Sequence, residues 1–145
     1  VVYGPGQKPE MFLPSLIKAL LVKQNYPMTL GEQTRDFIYI DDLVNSVILS
    51  METDNLAKGQ TINISSGTPI KIKILTEMVA QFFEKDSLRL VEFGAIDYRF
   101  GESLEYWGSN QRAREWLGWH PITSLEDGLK QTIEYYQKNF NKTVI

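Results

Sequence analysis

Cysteine is absent from this chain, and histidine occurs once, as His120. The first absence excludes disulfide scaffolds, thiolate metal sites and cysteine nucleophiles. The second leaves Ser-His-Asp chemistry dependent on one imidazole set between Trp119 and Pro121, which reads as structural or solvent-exposed. Metal binding would have to rest on carboxylates alone, and the pair Asp41-Asp42 is better read as a helix cap. Long apolar runs are also missing. The longest, Phe12 to Val22, is broken by Pro14, Ser15 and Lys18 and is far too short to span a bilayer. No basic stretch precedes it, so it is not a signal peptide. A net charge of −3 argues against a general nucleic-acid or membrane-surface binder. No glycine-rich dinucleotide fingerprint follows a strand anywhere.

The composition that remains is that of an ordinary globular domain: 145 residues, 43% hydrophobic and 23% charged. The chain opens on Val1-Val2-Tyr3-Gly4-Pro5, two Val and a Tyr before a turn, which reads as the tail of a strand in a larger fold. Phe12, Leu13, Leu16, Ile17, Leu20 and Leu21 recur at helical spacing and predict a helix from about Met11 to Lys23. Met28 to Leu30 and Phe37 to Ile40 read as extended. Asp41 or Asp42 then caps a helix with Leu43, Val44, Val47, Ile48 and Met51 on its buried side.

Thr61 to Ser65 alternates as a strand does, and Ser66-Gly67-Thr68-Pro69 reads as a turn. Leu75, Met78, Val79, Phe82 and Phe83 define a third helix, and Leu88 to Phe93 a further strand. A short helix from about Asn110 to Leu117 stops at Gly118. Thr123-Ser124-Leu125-Glu126 has the capping-box pattern that opens a last helix. Trp116 and Trp119 read as packing around these final helices. The expected fold is α/β, a small mixed sheet with several helices in a single domain over residues 1–145.

The segment Gly31-Glu32-Gln33-Thr34-Arg35-Asp36-Phe37-Ile38-Tyr39-Ile40-Asp41-Asp42-Leu43 puts an arginine at the entry of a strand that runs into a helix. Spacing alone favours a surface Arg35 paired with Asp36 or Asp41. The segment also resembles the G-x-x-x-R-D-[FWY]-[IL]-[YH]-[VI]-x-D motif of extended short-chain dehydrogenases acting on nucleotide sugars. Val2-Tyr3-Gly4-Pro5-Gly6-Gln7 resembles that family's N-V-Y-G-P-G-Q. Arg99-Phe100-Gly101-Glu102 resembles its R-P-G-[DE], with Phe100 in place of Pro. Leu117-Gly118-Trp119-His120-Pro121 with Leu125-Glu126-Asp127-Gly128-Leu129 resembles its L-G-W-x-P-x-x-x-L-x-x-G-L tail. Four segments in family order cover essentially the whole chain. Val1 stands where many members have a substrate-contacting Asn, Ser109 replaces a common Asp, and Lys71 replaces a frequent capping Ser or Thr.

The resemblance implies the substrate-binding subdomain that completes a Rossmann-fold epimerase or dehydratase. Its NAD- or NADP-binding N-terminal domain would lie upstream of Val1. It implies Arg35 and Arg99 as diphosphate contacts and Glu102 as a ribose contact. Met28 and Leu30 would line the base pocket through backbone groups, and Phe12 would wall the nucleotide. No catalytic residue is expected here, because the family's Tyr-x-x-x-Lys occurs nowhere in the chain. The partners implied are a nucleotide-diphosphate sugar and the N-terminal domain, in a cytoplasmic homodimer. The competing expectation is a non-catalytic relative that senses nucleotides.

Overall fold

The computed structural model describes residues 1–53 and 59–139. Its elements are β1 (Val2–Tyr3), α1 (Phe12–Leu21), β2 (Tyr26–Met28), β3 (Thr34–Asp36), β4 (Ile38–Tyr39), α2 (Ile40–Glu52), β5 (Pro69–Lys71), α3 (Ile72–Ala80), a 3-10 turn (Ser87–Leu90), β6 (Val91–Phe93), β7 (Glu105–Tyr106), α4 (Gln111–Leu117) and α5 (Leu125–Asn139). Three small sheets result. β1 pairs with β4 in parallel, β2 with β6 in parallel, and β3 lies between antiparallel β5 and parallel β7. The expected mixed α/β arrangement is what forms.

The main core fills the space between α1, α3 and α5. Leu16 and Ile17 of α1, Leu75 and Val79 of α3, and Leu129 and Ile133 of α5 are all but completely buried, with Tyr3 and Phe37 packed among them. The apolar spacing of α1 and α5 alone predicts these faces. A second, smaller core holds Ile38, Ala113, Leu117 and Trp119 under α2 and α4. Gly118 ends α4 in the left-handed region at φ 62°, as a helix-stopping glycine does. His120 is exposed, as its loop position suggests.

Several local expectations are corrected. Neither Asp41 nor Asp42 caps α2; Tyr39 occupies the cap position, with no side-chain cap bond. Asp42 instead lies in the first helical turn, buried, and its carboxylate accepts the backbone N–H groups of Ile122 (3.2 Å) and Thr123 (3.1 Å). The indole of Trp119 donates to the Asp42 carbonyl at 2.9 Å. This polar bracket turns α2 the other way round: Asp42 and Ser46 face inward, while Val44, Val47, Ile48 and Met51 are exposed. Periodicity identified the stripe but not which neighbour covers it.

The segment 61–65 is not a strand, because no partner strand lies beside it among the described residues. Side chains hold it instead: Arg112 donates to the Thr61 carbonyl and Asn110 to that of Ser65. The expected strand over Leu88 to Phe93 begins as a 3-10 turn and pairs only from Val91. Pro69 belongs to β5 rather than to a turn alone. The capping box of α5 is shifted by one residue. Ser124 Oγ accepts the Asp127 N–H at 3.1 Å and donates to the Asp127 carboxylate at 2.6 Å. Trp119 is core, but Trp116 is partly exposed with the Arg112 guanidinium 5.2 Å from its ring.

Candidate functional site

Strand β3 presents Arg35 and Asp36 to opposite faces, as the two-residue period of a strand requires. Asp36 is buried and accepts the N–H groups of Ser66 (2.8 Å) and Gly67 (3.0 Å), which ties the turn before β5 to β3. The expected alternative, Arg35 paired with Asp36 or Asp41, is therefore not what forms. Arg35 Nη2 lies 3.2 Å from Glu102 Oε1, and Arg35 Nη1 donates to the Thr34 carbonyl at 2.9 Å. Both side chains of the ion pair are mostly shielded from solvent. The partner, 67 residues away in sequence, is supplied by the loop after β6.

Arg35 and Glu102 stand on one cleft of about 230 Å³ with Phe12, Leu13, Phe37 and Ile72. Phe12 opens α1, Phe37 follows β3, and Ile72 opens α3, so three core elements make an apolar wall beneath one guanidinium. Val1, at the position where the resembled motif has Asn, also lines the cleft. Gln7 adds a polar group. Its Nε2 donates to the Val2 carbonyl at 2.8 Å, which fixes the amide, and its Oε1 is buried with no donor among the described residues. The loop bearing Gln7 is pinned by Tyr136, whose hydroxyl donates to the Gln7 carbonyl at 2.8 Å.

The structure separates the other expected site residues from this cleft. Arg99 is exposed, and its side chain makes no ion pair among the described residues. Its backbone N–H reaches Glu102 Oε2 at 3.4 Å and its carbonyl accepts the Glu102 N–H at 3.0 Å, closing a tight turn on which Phe100 faces solvent. Met28 is a core residue. Its carbonyl is taken by the N–H groups of Gly94 (3.0 Å) and Ile96 (3.3 Å), so that oxygen is already engaged. Leu30 is 55% exposed and lies outside the cleft, packed near Gly94. Arg35, Glu102 and Phe12 thus come together; Arg99, Met28 and Leu30 do not join them. Sequence reading missed Gln7 and Gln33 as cleft residues. Gln7 lies within the recognised Tyr-Gly-Pro-Gly-Gln run, so the signal was there.

Around the cleft the charge is mixed. Glu32 and Lys71 form an exposed pair at 2.6 Å; the shared hydrogen bond lowers the Glu32 carboxyl pKa and raises that of Lys71. Lys71, at the N-cap position of α3, thus serves as an ion-pair partner and not as a side-chain cap. Ser109 makes a local bond before α4, its Oγ accepting the Gln111 N–H at 3.3 Å. Among the described residues no group of three or more His, Cys, Asp or Glu could hold a metal ion. No described helix is long and apolar enough to cross a membrane.

What the cleft can do chemically is bind. A planar guanidinium presents paired donors to anionic oxygens, and Glu102 presents acceptor oxygens to hydroxyl or N–H groups. The profile of GDP-mannose 4,6 dehydratase matches residues 2–132. The chain is 34% identical over 137 residues to an uncharacterized UDP-glucose epimerase of Bacillus subtilis, covering 92% of this chain and 41% of that protein. It is 30% identical over 135 residues to CDP-abequose synthase of Salmonella typhimurium, covering 92% and 45%. The NAD complex of UDP-glucuronic acid 4-epimerase from Bacillus cereus superposes with a TM-score of 0.80 at 28% identity, over 99% of this chain and 43% of that one. UDP-glucose 4-epimerase of Thermotoga maritima with UDP-glucose gives 0.79 at 27% identity, over 96% and 44%. The chain spans less than half the length of these relatives. Its length-wide match and the fold it shares with them establish that it belongs to the GDP-mannose 4,6 dehydratase family of nucleotide-sugar epimerases and dehydratases.

Proposed function

We propose that this chain is the substrate-holding part of an NAD- or NADP-dependent nucleotide-sugar epimerase or dehydratase, and that an N-terminal domain supplies the dinucleotide site and the catalytic Tyr and Lys. The observation that carries this reading is Arg35 held by Glu102 over an apolar cleft. The guanidinium is the diphosphate contact. Phe12 walls the nucleotide, and the Glu102 carboxylate, released from Arg35 when phosphate oxygens take its place, accepts from a ribose hydroxyl. Arg99 is the second diphosphate contact once the 99–102 turn moves toward the cleft. A charge-assisted hydrogen bond of this kind contributes about 1.5–3 kcal/mol.

The residues present do not fit a dinucleotide by themselves: between β1 and α1 the run Gly4-Pro5-Gly6-Gln7-Lys8-Pro9 has Pro9 where the third glycine of a dinucleotide fingerprint stands. The dinucleotide therefore belongs to the proposed N-terminal domain, and this chain's task is to bind the nucleotide firmly and orient the sugar. Binding energy realised on the nucleotide, remote from the reacting carbons, holds the sugar in place for the chemistry. The parent enzyme on this reading is a cytoplasmic homodimer.

The test is a thermal-shift panel of UDP-, dTDP-, CDP- and GDP-sugars on the full-length protein. One class raises the melting temperature, because a ligand that binds only the folded state stabilises it. Arg35→Ala removes most of that shift. A full-length protein that responds to none of the four classes contradicts the proposal. An upstream sequence with the glycine-rich loop but a replaced Tyr would instead support a nucleotide sensor.

A further inference from the structure

Phe100 is fully exposed and packs against nothing in the fold. Its chain neighbours Arg99 and Gly101 are exposed as well, so the ring belongs to no apolar patch along its loop. Protein docking surfaces are contiguous apolar areas. One isolated ring beside a charged cleft is a contact on the scale of a small molecule.

The backbone explains where the ring stands. The Glu102 N–H donates to the Arg99 carbonyl at 3.0 Å, and Gly101 has φ 77°, the positive value that the third position of a type II turn requires. Phe100 is therefore at the corner of the turn, and a β-carbon added at Gly101 would meet nothing within 4 Å. Among the described residues one contact bonds the turn to the body of the protein, Arg35 to Glu102 at 3.2 Å. The chain is tied down on either side. The Tyr98 hydroxyl accepts the Glu32 N–H at 3.0 Å, and the Leu104 carbonyl accepts the Thr34 N–H at 2.7 Å. Phe100 is thus an unpacked ring on a flap with fixed ends, latched by the guanidinium of the cleft.

We infer that Phe100 is the cover of the bound nucleobase: when diphosphate oxygens take Arg35 from Glu102, the turn folds over the cleft and the ring stacks on the base. This rests on the functional reading above. Reach supports it. Two residues span at most about 7 Å of chain, so Phe100 starts no farther than that from Glu102, the proposed ribose contact, within reach of a base carried by that ribose. Every base has a π face, so the ring adds affinity without choosing among bases. Stacking also removes from water an apolar ring that the free protein leaves in it. The resembled motif has proline here, which suits the turn and offers no aromatic face. The cover is therefore a feature of this chain's own Phe100.

The test is isothermal titration of the full-length protein with UDP, dTDP, CDP and GDP. For the diphosphate that binds most tightly, Phe100→Ala should weaken binding about tenfold. Phe100→Pro, which keeps the turn, should weaken it as much, and Phe100→Tyr should bind like the native protein. The unliganded Phe100→Ala protein should melt at the native temperature, because the ring packs against nothing. Native affinity in Phe100→Ala overturns the inference. So does an equal loss in Phe100→Tyr, which would show that the ring is not the contact. A lower melting temperature of free Phe100→Ala would assign the ring to the fold and overturn it too. If none of the four diphosphates binds the native protein, the functional reading fails and this inference with it. Native affinity in Phe100→Ala, in a protein that binds one of them, removes the cover alone.

Discussion

The ring of Tyr3 occupies the space that a β-carbon on Gly128 would need. A methyl group there would lie 2.9 Å from Tyr3 Cζ and 3.0 Å from Tyr39 Cδ2, with the Tyr3 hydroxyl closer still. The two residues are 125 positions apart, one on β1 and one in the first turns of α5. Glycine inside a helix costs about 0.5–1 kcal/mol relative to alanine. Here that cost lets α5 approach the β1–β4 pair closely enough for the Tyr3 hydroxyl to donate to the Leu125 carbonyl at 3.3 Å.

Gly128→Ala should therefore destabilise the protein by about 3 kcal/mol, despite its better helix propensity, because overpacking outweighs the propensity gain. Urea unfolding measures it. Tyr3→Phe in the Gly128→Ala background should recover part of the loss, since it removes the closest atom. Additive effects in the double mutant would show that the two residues do not meet as described.

Alkaline pH should act through the same tyrosine. Burial raises the Tyr3 phenol above its ordinary value of 10, with the charges of Tyr39, Asp42 and Asp127 adding to the shift. The fold thus favours the neutral phenol. Its contribution to stability is fully present below pH 10 and is lost as pH rises above 10 toward the raised folded value. Tyr39 and Tyr136, also raised mainly by burial, act in the same direction. Urea midpoints should fall less steeply above pH 10 in Tyr3→Phe than in the native protein. Identical slopes would contradict this assignment.

Asp42→Ala should cost about 3 kcal/mol, because it strips the acceptor from two backbone N–H groups, those of Ile122 and Thr123. Asp42→Asn, which keeps one acceptor oxygen, should cost less. Trp119, bonded to the Asp42 carbonyl, gives the readout: its fluorescence should shift to the red in Asp42→Ala as the loop loosens. An alanine variant with native stability would refute the bracket.

Arg35→Ala should weaken nucleotide-sugar binding by the full-length protein about tenfold or more, the equivalent of one charge-assisted hydrogen bond. Arg35→Lys should restore little of it, because an ammonium lacks the planar fork. Arg99→Ala should cost less than Arg35→Ala, since Arg99 stands outside the cleft and must move to reach a ligand. Isothermal titration distinguishes the three. A larger loss for Arg99 than for Arg35 would reverse the proposed ranking.

On the proposed function, Gln7→Met should lower affinity for the nucleotide sugar by about five- to tenfold, because Gln7 lines the cleft and its Oε1 is a buried acceptor with no donor among the described residues. Unfolding midpoints should be followed in parallel, since the substitution also removes the bond to the Val2 carbonyl. Unchanged affinity would mean that this oxygen does not meet the ligand.

The sequence alone determined the apolar faces of α1, α3 and α5, the glycine stop at Gly118 and the burial of Trp119. Each depends on local period, on backbone preference, or on a motif short enough to read in one stretch. Only the tertiary structure decided what depends on partners distant in the chain. Arg35 has its carboxylate from residue 102, Asp42 meets a loop 80 residues away, and Gly128 is constrained by Tyr3. The same limit explains α2. Its hydrophobic period was plain, but a period specifies a stripe without naming its neighbour. In the folded protein a buried carboxylate and an indole, both satisfied, outweigh that stripe and turn it outward.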